Sequence, residues 1–202
     1  MPINWFDVFV LLMLFIGYVR GRKNGMSQEM LPMLKWIFLI GACSVAYEPL
    51  GSLIASTLKV GKLFSYIFAY VLVGTVITLV FLALSRSLGE KLKGSDMFGK
   101  GEFYLAMPAG VVRFACITLA LLALLNARHY STAEVKAMQK FQNENYGSNF
   151  FPTLSSLQDD VFLHSFLGKQ IKDHLDFLLI KPTPPVNPSV PAMARERREA
   201  GF

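Results

Sequence analysis

The sequence predicts an all-α polytopic membrane protein with about four transmembrane helices, followed by an amphipathic helical region and a disordered tail. Three observations support this prediction: the composition, four separate apolar blocks, and a proline-rich end. Of the 202 residues, 53% are hydrophobic and only 17% are charged. In an ordinary soluble domain, charged residues approach about a quarter of the chain. The composition therefore favours a membrane protein.

Four apolar blocks supply the predicted membrane helices. They cover residues 3–19, 31–47, 63–84 and 103–127. A helix needs about 20 residues to cross the hydrocarbon core, so residues 1–127 are predicted to form a four-helix transmembrane domain. The third block contains no charged residue. The first two have 17 residues each, which leaves open that one of them is interfacial or re-entrant.

The first block starts at "NWFD", with no basic residue before it and no small-residue cleavage site after it. A secretory signal peptide has both features, so we interpret the block as an uncleaved helix. Asp7 stands one turn inside its start. Two interpretations remain open: an interfacial acid favoured by the helix dipole, or an intramembrane charge with a functional partner.

The end of the first block combines small and basic residues. Its glycines recur at four-residue intervals, and they are Gly17, Gly21 and Gly25. Small residues at this spacing line one helix face and let a neighbouring backbone approach closely; the alternative is a flexible turn. The basic residues between them are Arg20, Arg22 and Lys23. We expect these three to anchor the helix end among lipid headgroups.

Arg113 is a charged residue inside the fourth block. Counted from Phe103 it stands ten residues along, which is about 15 Å of helix and near the middle of the hydrocarbon. It is therefore a functional-site hypothesis. The alternative is an interfacial approach up to Pro108, from which Arg113 extends its side chain to the headgroups.

The basic residues near the predicted helix ends set the topology. The loops after the first and third blocks hold seven and the opposite side holds five. The seven are Arg20, Arg22, Lys23, Arg86, Lys91, Lys93 and Lys100; the five are Lys59, Lys62, Arg128, Lys136 and Lys140. Because basic loops favour the cytoplasm, we predict a multi-pass protein of the cell (inner) membrane with both termini outside the cytoplasm.

The net charge of +6 is unevenly distributed. Residues 1–127 carry 11 Lys and Arg against 6 Asp and Glu, and residues 128–202 carry 9 against 8. The basic excess therefore lies beside the membrane, where lipid headgroups are the natural partner. We predict the lipid bilayer as a partner and no nucleic acid.

Residues 128–180 are predicted to form an amphipathic helical region, with a short helix at 133–142 and a turn at 146–148. One helical stripe alternates steps of three and four residues: Leu154, Leu157, Val161, His164, Gly168, Ile171, Leu175 and Leu178. A narrow stripe with mixed flanking charges favours packing on the helix ends or pairing with a second copy over lying on the lipid surface. The tail, 181–202, holds five prolines and is predicted to be disordered.

No catalytic, cofactor or metal site is predicted, and we expect the protein not to be an enzyme. Asp160 and His164 are four residues apart, but no second histidine stands at the spacing typical of a zinc site. No Gly-x-Ser-x-Gly sequence occurs, which argues against a serine hydrolase. Cys43 and Cys116 lie in apolar blocks and are expected to behave as small hydrophobes.

The order of these elements resembles the colicin V production protein (CvpA) family. The likeness begins with "NWFD", an apolar run, "GYVRGRKNGM" and an acid in "SQEM". The segment "GKGEFYLAMPAGVVRFACITLALLALL" resembles the family's fourth helix, with Ala106, Gly110 and Arg113 at its small and basic positions. In "VFLHSFLGKQIKDHLDFLL", Ser165 and Leu167 match a Ser-x-Leu-like element, while Gly168 stands where a proline is more usual.

The resemblance covers most of residues 3–180 and rests on layout, and it supplies no catalytic or ligand residue. It implies a non-enzymatic accessory or assembly factor in toxin production or export and envelope upkeep. We also expect helix packing through the small residues named above, and other membrane proteins or a second copy as partners. The alternative from another class is a small oligomeric membrane channel or transporter, with Asp7 or Arg113 facing a polar path.

Overall fold

The computed structural model describes residues 4–93, 98–130, 134–136, 139–140, 143–144 and 153–183. Six α-helices are used below: α1 (Trp5–Asn24), α2 (Met26–Leu58), α3 (Lys62–Lys93), α4 (Glu102–Asn126), α5 (Leu154–Asp159) and α6 (Phe166–Leu175). Short helical turns lie at Gly99–Gly101, Asp160–His164 and Asp176–Leu178, and the described residues 134–136, 139–140 and 143–144 are helical as well. The described residues are all-helical, apart from one isolated bridge between Arg128 and Thr183.

Within the part of the chain that the structure describes, three helices are long and apolar enough to cross a membrane: α2, α3 and α4. The prediction of an all-α membrane protein is therefore confirmed, but only three of the four predicted spans are shown. α1 is 20 residues long, yet Asp7 and the basic residues at its end leave it a shorter apolar stretch. The second block is longer than predicted, since α2 runs for 33 residues through Pro32 and Pro49.

The long helices form two pairs. α1 lies against α4, α2 lies against α3, and the contact between α2 and α4 joins the pairs. α1 and α4 are antiparallel, because Gly21 faces Ala106 while Trp5 and Phe9 share a groove with Leu121.

The residues 153–183, here called the cap, close one end of this bundle. Val161, Phe162, Leu179 and Ile180 of the cap are buried in the same apolar cluster as Phe6, Tyr47 and Leu122 of the long helices. The cap lies at the end where α1 begins and α4 ends. The cap therefore packs against the ends of the long helices, which is one of the two arrangements predicted for the amphipathic region.

The predicted continuous stripe of the cap is broken at Ser165, which corrects the expectation of one amphipathic helix. α5 ends in a π-helical turn, Asp160–His164, and the backbone of Ser165 is extended, with φ −85° and ψ 143°. The side chain of His164 is 67% exposed, so this stripe position does not pack. Of the predicted short helix 133–142, residues 134–136 and 139–140 are described and are helical. The rest of that helix, the turn 146–148 and nearly all of the tail lie outside the described residues.

The long helices expose apolar side chains around the bundle. On α1 these are Val8, Leu11, Leu12, Phe15, Ile16 and Val19, and on α3 they include Phe68, Val76, Leu79 and Val80. In water such a surface would be strongly unfavourable, whereas lipid tails cover it without cost. The exposed surface therefore fits a membrane-embedded bundle.

Candidate functional site

Asp7 is the polar centre of the capped end. It is 4% exposed, and its carboxylate accepts hydrogen bonds from the Ser165 hydroxyl at 2.7 Å and from the backbone N–H groups of Leu167 at 2.9 Å and Phe166 at 3.2 Å. It also accepts from the backbone N–H of Asn4 at 3.0 Å. One carboxylate thus caps the first turns of both α1 and α6, where free N–H groups favour a negative charge.

The local sequence explains the shape of this contact. Ser165 is the N-cap of α6, and its hydroxyl oxygen accepts from the N–H of Gly168 at 3.0 Å. A Cβ atom on Gly168 would strike the carbonyl oxygen of Val161, so glycine is required where the π-helical turn folds against α6. In addition, Asn4 donates from Nδ2 to the Asp160 carbonyl at 2.9 Å.

Further hydrogen bonds hold the cap to α2 and α4. Asn126 donates to the Ile180 carbonyl at 3.0 Å, and the Thr183 N–H donates to the Ala127 carbonyl at 3.0 Å. The Lys181 ammonium lies 2.9 Å from a Glu48 carboxylate oxygen. This hydrogen bond, together with the charge of Glu48, raises the pKa of Lys181 above its ordinary value.

Small residues form the contact between α1 and α4. A Cβ atom on Gly17 would lie 2.6 Å from the Gly110 carbonyl oxygen, and one on Gly21 would strike the Ala106 carbonyl oxygen. A Cβ atom on Gly110 would strike the carbonyl oxygen of Gly17 in turn. The structure thus brings together four of the predicted helix-packing residues, and the two backbones touch.

Gly25 departs from the predicted glycine face. It lies between α1 and α2 with φ +79°, and a Cβ atom there would meet Glu102 Oε1 at 2.8 Å. It is therefore the turn residue of the series, because side-chain-bearing residues rarely adopt this backbone conformation. The predicted headgroup anchors, Arg20, Arg22 and Lys23, are exposed beside this turn.

Arg113 pairs with a carboxylate across the contact between α2 and α4. Its Nη1 donates to Glu29 Oε2 at 3.0 Å, and Glu29 is 1% exposed. The other Glu29 oxygen accepts from Asn24 Nδ2 at 2.7 Å. Both oxygens of the carboxylate are therefore engaged within the chain. The helix α4 is continuous from Glu102, so Arg113 lies within a regular helix rather than after an irregular approach.

Two buried polar atoms, Ser27 Oγ on α2 and Arg113 Nε on α4, have no hydrogen-bond partner among the described residues. In low-dielectric surroundings an unpaired polar group is costly. The capped end has two such atoms as well, Asn126 Oδ1 and Arg128 Nε.

The remaining candidates show no chemistry of their own. Cys43 and Cys116 are free and buried, and the Cys43 thiol donates to the Tyr70 carbonyl at 3.4 Å. His164 Nδ1 lies 3.6 Å from an Asp160 oxygen at the exposed surface. Among the described residues there is no group of three or more His, Cys, Asp or Glu that could hold a metal ion.

Sequence reasoning gave no role to Glu29 and none to the contact between Asp7 and Ser165. The sequence signal for Glu29 is weak. A buried arginine is stabilised by a carboxylate, but Glu29 precedes the second apolar block, whereas Arg113 stands ten residues inside the fourth. No pattern in the sequence links Asp7 to a residue more than 150 positions away.

Comparisons with protein-family models, with curated proteins and with solved structures find no match to this chain.

Proposed function

We propose that this protein is an integral membrane accessory or assembly factor of the colicin V production type. It would serve toxin production or export and envelope upkeep, and it would carry out no reaction itself. The resemblance in the sequence supplies the biological context. The geometry contributes one observation that carries the proposal: the charged side chains at both ends of the bundle bind partners within the chain.

That observation concerns Asp7 and Glu29. The first accepts four hydrogen bonds from the chain and the second is shared by Asn24 and Arg113. Groups used in this way stabilise a shape rather than bind a substrate. The apolar side chains exposed along α1 and α3 leave the bundle a large surface for lipid, for a second copy or for other membrane proteins.

The proposal includes α1 as a fourth span and both termini outside the cytoplasm of the inner membrane. α1 lies along α4, which is itself apolar enough to span the membrane. The exposed face of α1 carries Leu11, Leu12, Phe15 and Ile16. A helix in backbone contact with a spanning helix has to share its surroundings. The basic cluster at the α1–α2 turn supports a cytoplasmic position for that turn.

The topology is tested with reporter fusions placed after Phe202 and after Lys23. We expect a reporter that is active only outside the cytoplasm to work at Phe202, and a cytoplasmic reporter to work at Lys23. The reverse pattern would overturn the proposed orientation. Activity of one reporter type at both positions would exclude an odd number of spans between them.

The function is tested by crosslinking in native membranes, purifying the chain and identifying the captured proteins. We expect defined membrane partners that are lost when Phe15 and Ile16 are replaced by alanine, because these residues are exposed. The control replaces Ser52 and Ser56, whose hydroxyls bond only their own helix. Partners that are retained in both variants would contradict the proposal that the exposed face of α1 binds them.

A small oligomeric channel or transporter is the second candidate. The buried, unpaired Ser27 Oγ and Arg113 Nε favour it, since water or a permeating solute would satisfy such atoms. Purified protein in liposomes then conducts or moves solute, and Arg113→Leu abolishes the flux. Liposomes without flux for the wild-type chain would exclude this candidate and leave the assembly factor.

A further inference from the structure

The cap supplies most of the hydrogen-bond donors to the Asp7 carboxylate. Three donors belong to the cap: the Ser165 hydroxyl and the backbone N–H groups of Phe166 and Leu167. The remaining donor is the backbone N–H of Asn4, at the start of the same helix as the carboxylate. Without the cap, this buried carboxylate would therefore lose all but one of its donors.

The uncharged part of α1 is too short to cross a membrane by itself. Asp7 and Arg20 are separated by residues 8–19, which span roughly 18 Å of helix, whereas the hydrocarbon core is about 30 Å thick. If Arg20 lies among the headgroups at one surface, Asp7 lies roughly 10 Å inside the core from the other surface. A charge at that depth is costly unless protein groups bind it.

The contact between α1 and α4 does not provide those groups. The close backbone contacts lie at Gly17 and Gly21, which are ten and 14 residues further along α1 than Asp7, or roughly 15 and 21 Å away. Among the described residues, α4 donates no hydrogen bond to the Asp7 carboxylate. The glycine contact thus fixes one end of α1, and the cap binds the charge at the other end.

The outer surface of the cap fits a position at the edge of the bilayer. Four large apolar side chains of the cap are 49–70% exposed, and they are Leu154, Leu163, Phe166 and Phe177. Exposed apolar side chains of this size are typical of a surface that meets a partner or a membrane. A cap that is partly immersed in lipid covers them and surrounds Asp7 with protein at the same depth.

We propose that the cap holds α1 in the membrane through Asp7, so that α1 spans the bilayer only while the cap binds this carboxylate. The inference rests on the proposed fourth span. When the contact is lost, α2, α3 and α4 still cross the membrane, and α1 remains on the side of the α1–α2 turn. The chain thus has two arrangements, with four spans or with three, and the N-terminus lies on opposite sides of the membrane in the two.

The experiment compares the two ends of the whole chain. One cysteine is added on a short uncharged linker, either before Met1 or after Phe202, and a membrane-impermeant maleimide is applied to right-side-out and to inside-out vesicles. Cys43 and Cys116 are buried, and the chain without an added cysteine measures their background. We expect both ends of the wild-type chain to be labelled from the same face. Labelling from opposite faces would overturn the fourth span and, with it, this inference.

The double variant Ser165→Ala with Phe166→Pro removes two of the three cap donors. Proline is tolerated at the first position of a helix, because the N–H group there has no partner within the helix. The extended backbone of Ser165 also suits a following proline. We expect the N-terminal cysteine of this variant to be labelled from the opposite face. Unchanged labelling would overturn the inference while leaving the proposed four spans in place.

The matched control is Ser165→Ala with Phe166→Ala, which removes the same two side chains but keeps the N–H group that donates to Asp7. We expect this control to be labelled as the wild-type chain is. Opposite-face labelling of the control would overturn the role given to the backbone donor.

Adding Asp7→Leu to the proline variant tests whether the carboxylate is the cause. The substitution removes the charge that requires the donors, so both ends should again be labelled from the same face. It also covers a proline variant that fails to accumulate, because the amount of protein in the membrane should then recover. A triple variant that keeps the opposite-face labelling, or the low amount, would overturn the proposal.

Discussion

The two helix pairs of the bundle are packed in different ways. Between α1 and α4, glycine allows the backbones to touch, and added Cβ atoms on Gly17 or Gly21 would meet carbonyl oxygens. Between α2 and α3, side chains fill the space: the rings of Tyr47 and Tyr66 lie 5.7 Å apart, and those of Phe38 and Phe81 lie 5.9 Å apart.

Two glycines of the second pair show the same contrast; a third, Gly51, is the exception, since a Cβ atom there would strike the Tyr66 ring. A Cβ atom on Gly41 would have nothing within 4 Å, and one on Gly74 would meet Cys43 Sγ at an ordinary 3.7 Å. Identical residues in similar apolar helices therefore have different importance. What distinguishes them is the atom opposite: a carbonyl oxygen cannot move aside, whereas a side chain can repack.

The largest effect is expected where the two pairs meet. Arg113→Leu leaves the buried Glu29 carboxylate without its cation and with only the hydrogen bond from Asn24, which should destabilise the protein by about 3–5 kcal/mol. Unfolding of the purified protein in mixed micelles measures this. The double variant Arg113→Leu with Glu29→Leu should recover most of the loss, and a double variant as unstable as the single one would show that the ion pair itself is stabilising.

The next effect tests the backbone contact directly. Gly21→Ala should destabilise by about 1–3 kcal/mol, because the new methyl group strikes the Ala106 carbonyl. Gly41→Ala is the matched control in an open helix position, where alanine is favoured over glycine. Equal stability of the two variants would contradict the difference between the pairs.

A smaller effect is expected at the capped end, which covers parts of both pairs. Ser165→Ala removes the N-cap of α6 and one donor to Asp7, and it should cost about 1 kcal/mol. Amide hydrogen exchange at Phe166, Leu167 and Gly168 should accelerate. Ser52→Ala, at an exposed hydroxyl bonded to its own helix, should leave exchange in α6 unchanged.

The smallest effect sharpens the description of the second pair. Gly74→Ala should change the stability by less than about 1 kcal/mol and towards greater stability, since its methyl group would make ordinary contacts with Cys43 and Leu39. A clear loss of stability would show that α2 and α3 are packed as tightly as α1 and α4.

Much of the fold could be predicted because long apolar runs have few alternatives to membrane helices. The spacing of Gly17 and Gly21 predicted a packing face, because residues four apart lie on the same side of a helix. Gly25 follows the same spacing and yet forms the turn. The backbone conformation at the end of a helix depends on the segments packed against it, and the spacing of the glycines gives no information about those segments.

The contacts of the cap could not be predicted in the same way. The stripe from Leu154 to Leu178 has helical periodicity, but Ser165 interrupts it, because its hydroxyl donates to Asp7 outside the segment and accepts from the Gly168 N–H. Periodicity shows which residues share an apolar face of a helix. It does not show where hydrogen bonds to distant elements end that helix. The pairing of Glu29 with Arg113 could not be predicted from depth either, because Glu29 precedes the second apolar block while Arg113 stands ten residues inside the fourth.

The length of α2 has a consequence for the bilayer itself. Its 33 residues measure roughly 50 Å, against about 30 Å of hydrocarbon, and it meets the cap at Tyr47 and Glu48. The ten residues beyond, up to Leu58, extend roughly 15 Å further and expose Leu53 and Leu58. A membrane of uniform thickness cannot match both helix pairs, so either the α2–α3 hairpin tilts or the surrounding leaflet thickens on that side. In the second case, the lipid is deformed on one side of the protein only.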